Sequence, residues 1–402
     1  MSPRFRPSPH DSLPLFGEKY FVQPHLQQPA MAYAAEGKAA LVYKVRKRSG
    51  PVFALKVFKK QFRDHELLKT AERLRFLQSY EGLRAAQRQV VESGEQITNQ
   101  YPELLYAMLM PWITGTTWND LLITAGRTQT AYGVDTGIRL CDRFLTVMQG
   151  LESNGIAHTD IAPGNVVITT RPVDVQLLDL EDVFIPGLPP PAVLPKATPG
   201  YDHPAARGMT TWASEGDRYS AAVMAAEMLL LPYPELAATA NDSGLFGGNR
   251  TTPQGKARFS DAYPCLDAIS PTFAQTFKKF WDATAIKDCP RLSELHAALT
   301  ATTPQSAPAV RPSPPQSTRP VIWVPRQGSV FATARATTAP AQSVSTGVTW
   351  TGTASPTMAT TPVATATSSP APPDPSAPVV APWVVAVLLV VFLLSLILAF
   401  AN

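Results

Sequence analysis

His158-Thr159-Asp160-Ile161-Ala162-Pro163-Gly164-Asn165, followed by the apolar Val166-Val167-Ile168, is the stretch on which the reading of this chain turns. A second apolar run, Val175 to Leu178, leads into Asp179-Leu180-Glu181-Asp182. Phosphoryl transfer asks for a carboxylate that orients the attacking hydroxyl and takes its proton, and for oxygen donors that hold Mg²⁺ on a triphosphate. Asp160 suits the first task; Asn165 and Asp179 suit the second, because hard Mg²⁺ takes only one or two protein carboxylates beside phosphate oxygens. The two apolar runs are expected as short strands presenting these groups. A plainer reading makes Asp160 and Asn165 an Asx-type turn and Asp179 an ordinary acid at a strand end.

Working upstream, Ala39 to Val45, a charged turn ending in Gly50, and Val52-Phe53-Ala54-Leu55-Lys56-Val57-Phe58 read as a β-hairpin. Residues 63–79 carry Leu67, Leu68, Ala71, Leu74 and Leu77 at helical spacing. Tyr106 to Gly115 reads as a strand and a short connection, followed by a helix from Trp118. Thr136 to Asn154 is expected as a long core helix. Downstream, Asp217-Arg218-Tyr219-Ser220-Ala221-Ala222 opens an apolar helix running to about Leu231, and residues 270–300 give two more helices split at Cys289-Pro290.

The order of these pieces resembles the protein-kinase signature, H-R-D-L-x-x-x-N and then D-F-G, with a V-A-I-K strand upstream. The chain is similar to eukaryotic-like bacterial Ser/Thr protein kinases over about residues 30–300, with Ala197-Thr198-Pro199-Gly200-Tyr201 against G-T-P-G-Y as a further match. The resemblance implies an α+β, bilobal fold: a small β-rich N-lobe (about 26–109), a hinge (110–115) and a larger α-helical C-lobe (116–300). It implies ATP and Mg²⁺ as cofactors, with Lys56 on the α and β phosphates and a glutamate from the 63–79 helix paired to it. Glu72 fits by spacing and Glu66 is the alternative. Gly37, Val42 and Ala54 join the nucleotide site, as do the carbonyl of Pro111 and the N–H and carbonyl of Ile113. Asn165 and Asp179 take the metal, Asp160 is the catalytic base, Thr198 shapes the substrate site, and Asp217 holds the catalytic-loop backbone.

The departures from that pattern are specific. One loop glycine, Gly37, remains of three. Thr159 replaces the Arg that reads a phosphate on the activation segment, and Leu180 to Lys196 contains no Ser, Thr or Tyr. Ala162 replaces a lysine that contacts the γ-phosphate, Glu181 replaces the Gly of D-F-G, and Ala205 with Cys289 replaces a buried ion pair, a paired loss that can be neutral. Three readings follow: a Ser/Thr protein kinase acting on an unknown protein substrate; a pseudokinase that binds nucleotide or acts as a scaffold; and a small-molecule phosphotransferase, against which the Thr198–Tyr201 run and Asp217 argue.

The 402 residues carry a net charge of only +4, which does not point to nucleic acid. Three cysteines (Cys141, Cys265, Cys289) form neither a disulfide framework nor a zinc spacing. Residues 1–25 are polar and proline-containing and are expected to be poorly ordered; Met1 to Gln28 lacks an apolar core of signal-peptide length. From 301 to 379 the chain is Thr, Ala, Pro and Ser, an extended linker of roughly 50 Å r.m.s.. Residues 380–402 contain a charge-free apolar run of membrane-spanning length. It is expected as a C-terminal anchor, with the folded domain in the cytoplasm.

Overall fold

The structure is a computed structural model that describes residues 5–191, 193–195, 198–204, 211–247 and 251–301. The expected linker over 302–379, the apolar run over 380–402 and Ala205 lie outside the described residues. Among the described residues no helix is long and apolar enough to cross a membrane.

The N-terminal part is an antiparallel sheet that curls around its own core. Its strands are β1 (Ser12–Leu15), β2 (Glu18–Val22), β3 (Ala34–Glu36), β4 (Ala40–Lys47), β5 (Val52–Phe58), β6 (Gln89–Val90) and β7 (Met108–Pro111). They lie in the order β1-β2-β4-β5-β7-β6, with β3 paired to β4. The hairpin read at 39–58 is β4 and β5, in a register that puts Val42 opposite Lys56 and Lys44 opposite Ala54. Side chains alternate between faces along a strand. One face of the sheet therefore buries Tyr43, Val45, Leu55 and Val57 with Leu13, Leu15, Tyr20, Val22 and Leu109. The opposite face carries Val42, Ala54 and Lys56.

Residues 1–25 depart from expectation. Most of the described part is ordered as β1, β2 and their flanks. Leu13, Leu15, Tyr20 and Val22 alternate into the core. Pro14 disguises this pattern, but β1 is an edge strand, where a missing N–H is tolerated. The 63–79 helix is also shorter than its leucine spacing predicts. It is α1 (Glu66–Arg73), followed by a 3₁₀ stretch, Arg75–Ser79.

A short helix α2 (Ile97–Gln100) precedes β7. The C-terminal part then begins with β8 (Thr116–Thr117), α3 (Trp118–Thr128) and α4 (Val134–Ser153). Strands β9 (Val166–Thr170) and β10 (Val173–Leu177) pair with each other, and β9 also pairs with β8. Gly115, where the chain passes from β7 to β8, has φ +153°, and a Cβ there would stand 2.5 Å from the carbonyl oxygen of Ile168. Only glycine lets the connection cross β9 this closely. The remaining helices are α5 (Arg218–Leu230), α6 (Pro234–Ala237), α7 (Pro253–Ile269), α8 (Pro271–Asp282) and α9 (Leu292–Thr300). The last two match the pair read at 270–300. Helix α7 carries an internal Pro264 and no clear apolar stripe, so its sequence does not announce it; Pro253 at its first turn and the Thr252 hydroxyl, which accepts from Gly255 N–H at 2.9 Å, start it.

Helix α5 is buried from Tyr219 to Leu230, as a helix apolar on all sides must be. Its one charged residue in that span, Glu227, is 0% exposed. Its carboxylate accepts from Tyr201 Oη at 2.6 Å, Trp118 Nε1 at 2.9 Å and Leu245 N–H at 2.6 Å. Burial pushes this carboxyl from about 4.5 up to about 7, against the pull of Tyr201, Trp118 and Leu245. A raised carboxyl favours the protonated fold, so its contribution is full below pH 4.5 and is lost as pH rises through 7. For wild type minus Glu227→Gln, urea denaturation should show the stability difference falling by roughly 3 kcal/mol between pH 4.5 and 8. A flat difference would mean that Glu227 stays ionised throughout.

Candidate functional site

The 158–165 loop is held from below by the start of α5. Asp217 is 4% exposed, and its two carboxylate oxygens accept from the backbone N–H of His158 at 2.5 Å and of Thr159 at 2.8 Å. The loop needs that hold because Thr159 sits at φ +70°, an uncommon conformation for a β-branched residue. Three further bonds pin it. Thr159 Oγ1 donates to the carbonyl of Asp182 at 2.6 Å, Thr211 Oγ1 donates to the carbonyl of Thr159 at 2.5 Å, and His158 Nε2 meets the carbonyl of Leu178 at 2.7 Å. The side chain that stands where the resemblance has Arg therefore points inward as a brace.

Above that base the predicted catalytic groups meet. Asp160 Oδ1 accepts from Thr198 Oγ1 at 3.1 Å. Asn165 Nδ2 lies 3.0 Å from the Asp160 carbonyl and 3.2 Å from Oδ2. The Asn165 carbonyl accepts from Leu178 N–H at 2.8 Å, which sets Asn165 beside Asp179. The Asn165 side chain thus ties the two ends of the loop together, and with the Thr198 bond it aligns three candidate side chains.

Asp179 follows β10 in the left-handed region, φ 58° and ψ 55°, which turns its carboxylate toward the sheet. There it pairs with Lys56 Nζ. Lys56 also pairs with Glu181 Oε2 at 2.9 Å, and Glu181 Oε1 accepts from Arg88 Nη1 at 2.9 Å. The Lys56, Glu181 and Arg88 side chains are 13%, 15% and 1% exposed, whereas Asp179 is 51% exposed. Desolvation works against the charge on Lys56, but Glu181 and Asp179 outweigh it and hold the amine above its ordinary range. Burial likewise opposes Glu181, and Lys56 with Arg88 holds it well below the usual carboxylate range. Partial desolvation raises the Asp179 carboxyl, with Lys56 pulling it down and Glu181 adding to the rise.

The helix glutamates do not make the expected pairing. Glu66 is bound to Lys69 at 2.6 Å and stands beside His65 on the surface. Glu72 lines a groove of about 480 Å³ with Leu68, Arg75, Arg88 and Val90. Helix α1 presents neither glutamate to the lysine, and the acid two positions after Asp179 does so instead. Neither Glu181 nor Arg88 carries a sequence signal for this role beyond the substitution of Glu for the Gly of D-F-G.

The remaining nucleotide-site residues fall along the sheet. Val42, Ala54 and Lys56 share one face, and Pro111 ends β7 opposite Phe53, with Ile113 two residues beyond. The β3–β4 turn is tight. Gly37 N–H donates to the Ala40 carbonyl at 2.8 Å, and Glu36 pairs with Lys59 at 2.8 Å. No residue from 35 to 40 has positive φ, so the alanines at 35 and 40 fit. Gly37 is not held there by its backbone conformation, and its N–H is engaged within the turn.

Among the described residues no group of three or more His, Cys, Asp or Glu is arranged to hold a metal ion. Asn165 and Asp179 are a smaller oxygen set that could take Mg²⁺ held mainly by phosphates, and Asp179 is the exposed one of the Lys56 partners. No protein-family model matches the chain, and no curated protein matches it.

The hold on the loop is measurable. Asp217→Ala orphans two buried N–H groups, each costing about 1–3 kcal/mol. Urea unfolding should show a loss of about 2–5 kcal/mol, and Asp217→Asn, which keeps one acceptor, should lose less. Equal losses would place the carboxylate's role elsewhere.

Proposed function

We propose that the described part of the chain is a bilobal, protein-kinase-like domain. It binds Mg²⁺–ATP between its sheet and its helical part and transfers the γ-phosphate to a serine or threonine hydroxyl of a protein. The observation that carries this reading is the meeting, from three distant segments, of Lys56, Asp179 and the Asp160–Asn165 loop over a base made by Asp217. Few other chemistries need a buried lysine facing an exposed carboxylate beside an Asp–Asn–Thr cluster.

The roles follow from position. Lys56 is on hand for phosphate oxygens, on the face that Val42 and Ala54 share. Asn165 and Asp179 would hold Mg²⁺, which when bound neutralises phosphate charge. Asp160 orients a substrate hydroxyl and takes its proton as that oxygen bonds to the γ-phosphorus and ADP leaves. Thr198, bonded to Asp160, fixes the carboxylate's rotation and ties it to the segment on which a substrate would lie. Tyr201, anchored on Glu227, stiffens that segment, which favours a peptide over a small-molecule acceptor.

One observation favours a non-catalytic binder. The Gly37 N–H is engaged in its own turn, which leaves less backbone for the phosphates. The two readings separate in one experiment on the full-length protein purified in detergent. Radiolabelled ATP should give phosphoprotein, and Asp160→Asn should cut transfer by roughly 10²–10⁴-fold while nucleotide binding persists. Binding without any phosphoprotein from wild type would leave the pseudokinase. The apolar run at 380–402 supports a membrane tether, and deleting it should move the protein from the membrane pellet to the soluble fraction.

A further inference from the structure

Lys56 has two carboxylate partners, and they are not equivalent. Asp179 is 51% exposed and stands at the mouth of the site, whereas Glu181 is 15% exposed and lies behind it. Glu181 is in turn fixed from its far side. Arg88 Nη1 holds Oε1 at 2.9 Å, and the same guanidinium donates to the Ala85 carbonyl through Nη2 at 2.9 Å and Nε at 3.2 Å. A continuous relay therefore runs from the Ala85 carbonyl through Arg88 and Glu181 to the lysine amine. Each bond is largely shielded from solvent and charge-assisted, the strong form of such bonds. Helix α1 supplies none of these bonds: Glu66 is paired to Lys69, and Glu72 lines the groove that it shares with Arg88.

We propose that Glu181 is the positioning residue for Lys56, with Arg88 as its anchor, so that the loop carrying the candidate metal ligand also sets the lysine. This rests on the Mg²⁺–ATP reading and adds a division of labour to it. Two cations, Lys56 and Arg88, face two anions, Asp179 and Glu181. With Glu181 in place, Lys56 stays neutralised and aimed when Asp179 serves a cation. With Glu181 neutral, Asp179 becomes the lysine's sole counter-charge, and ammonium and cation compete for it. The lysine is then ready without any movement of α1. That agrees with a segment from Leu180 to Lys196 that has no hydroxyl to phosphorylate and with a Thr159 that braces the loop inward. The site is assembled constitutively.

The test is nucleotide binding by the full-length protein in detergent, followed with a fluorescent ATP analogue while Mg²⁺ is titrated. Glu181→Gln should weaken analogue binding at least tenfold and raise the Mg²⁺ needed for half-saturation by a similar factor. Glu181→Asp should recover part of both. Glu72→Ala and Glu66→Ala should stay within twofold of wild type. A merely structural glutamate would change affinity without moving the Mg²⁺ midpoint. An unmoved midpoint in Glu181→Gln, or a Glu72→Ala loss as large as that of Glu181→Gln, overturns the proposal. If Glu181→Gln does not fold, Glu181→Asp against Glu72→Ala decides on the same two readouts. Wild type that binds no analogue at any Mg²⁺ concentration overturns the Mg²⁺–ATP reading itself, a result separate from the variant comparison.

Discussion

One ammonium group ties the two halves of the site together. Lys56 sits on β5 of the sheet, and both of its carboxylate partners sit on the loop after β10, more than a hundred residues away. A lysine this buried is stable only because its charge is matched; removing one partner of such a pair is strongly destabilising, whereas the intact pair roughly balances its own desolvation. The cluster therefore contributes little net stability and a great deal of definition. It fixes which strand faces which loop, and so where a phosphate-sized anion would find a cation.

The helical part supplies the rigid floor. Helix α5 is buried along nearly its whole length, and its two acids serve different neighbours. Asp217, at the N-terminal end, holds the backbone of His158 and Thr159. Glu227, in the interior, gathers Tyr201, Trp118 and Leu245. The loop that bears Asp160 and the segment that bears Thr198 are thus referred to one helix, and the bond between those two side chains follows from it. The strained Thr159 backbone is affordable because so many hydrogen bonds determine it.

Much of this could be read from local pattern. The alternation in β4 and β5, the His158–Asn165 loop, the all-apolar α5 and its leading Asp217 are features of a few neighbouring residues, and each lies where its pattern says. What pattern could not convey was pairing across the chain. Glutamates on a leucine-spaced helix fit by spacing as partners of Lys56, but Glu66 pairs with Lys69 and the partner comes from Glu181, a residue whose local context suggests only a lost glycine. Arg88 gave no sign at all, since one arginine near a two-residue strand resembles any surface arginine until its burial is known. The β1–β2 hairpin was hidden by prolines that an edge strand tolerates.

The account stands on Lys56 facing bound triphosphate. An acyl-phosphate derivative of ATP delivers its acyl group to an amine lying against the phosphates, and peptide mass spectrometry then identifies the modified residue. Labelling concentrated on Lys56 and suppressed by excess Mg²⁺–ATP is the predicted result. Labelling spread over exposed lysines such as Lys19 and Lys60, with Lys56 untouched or indifferent to ATP, would contradict it.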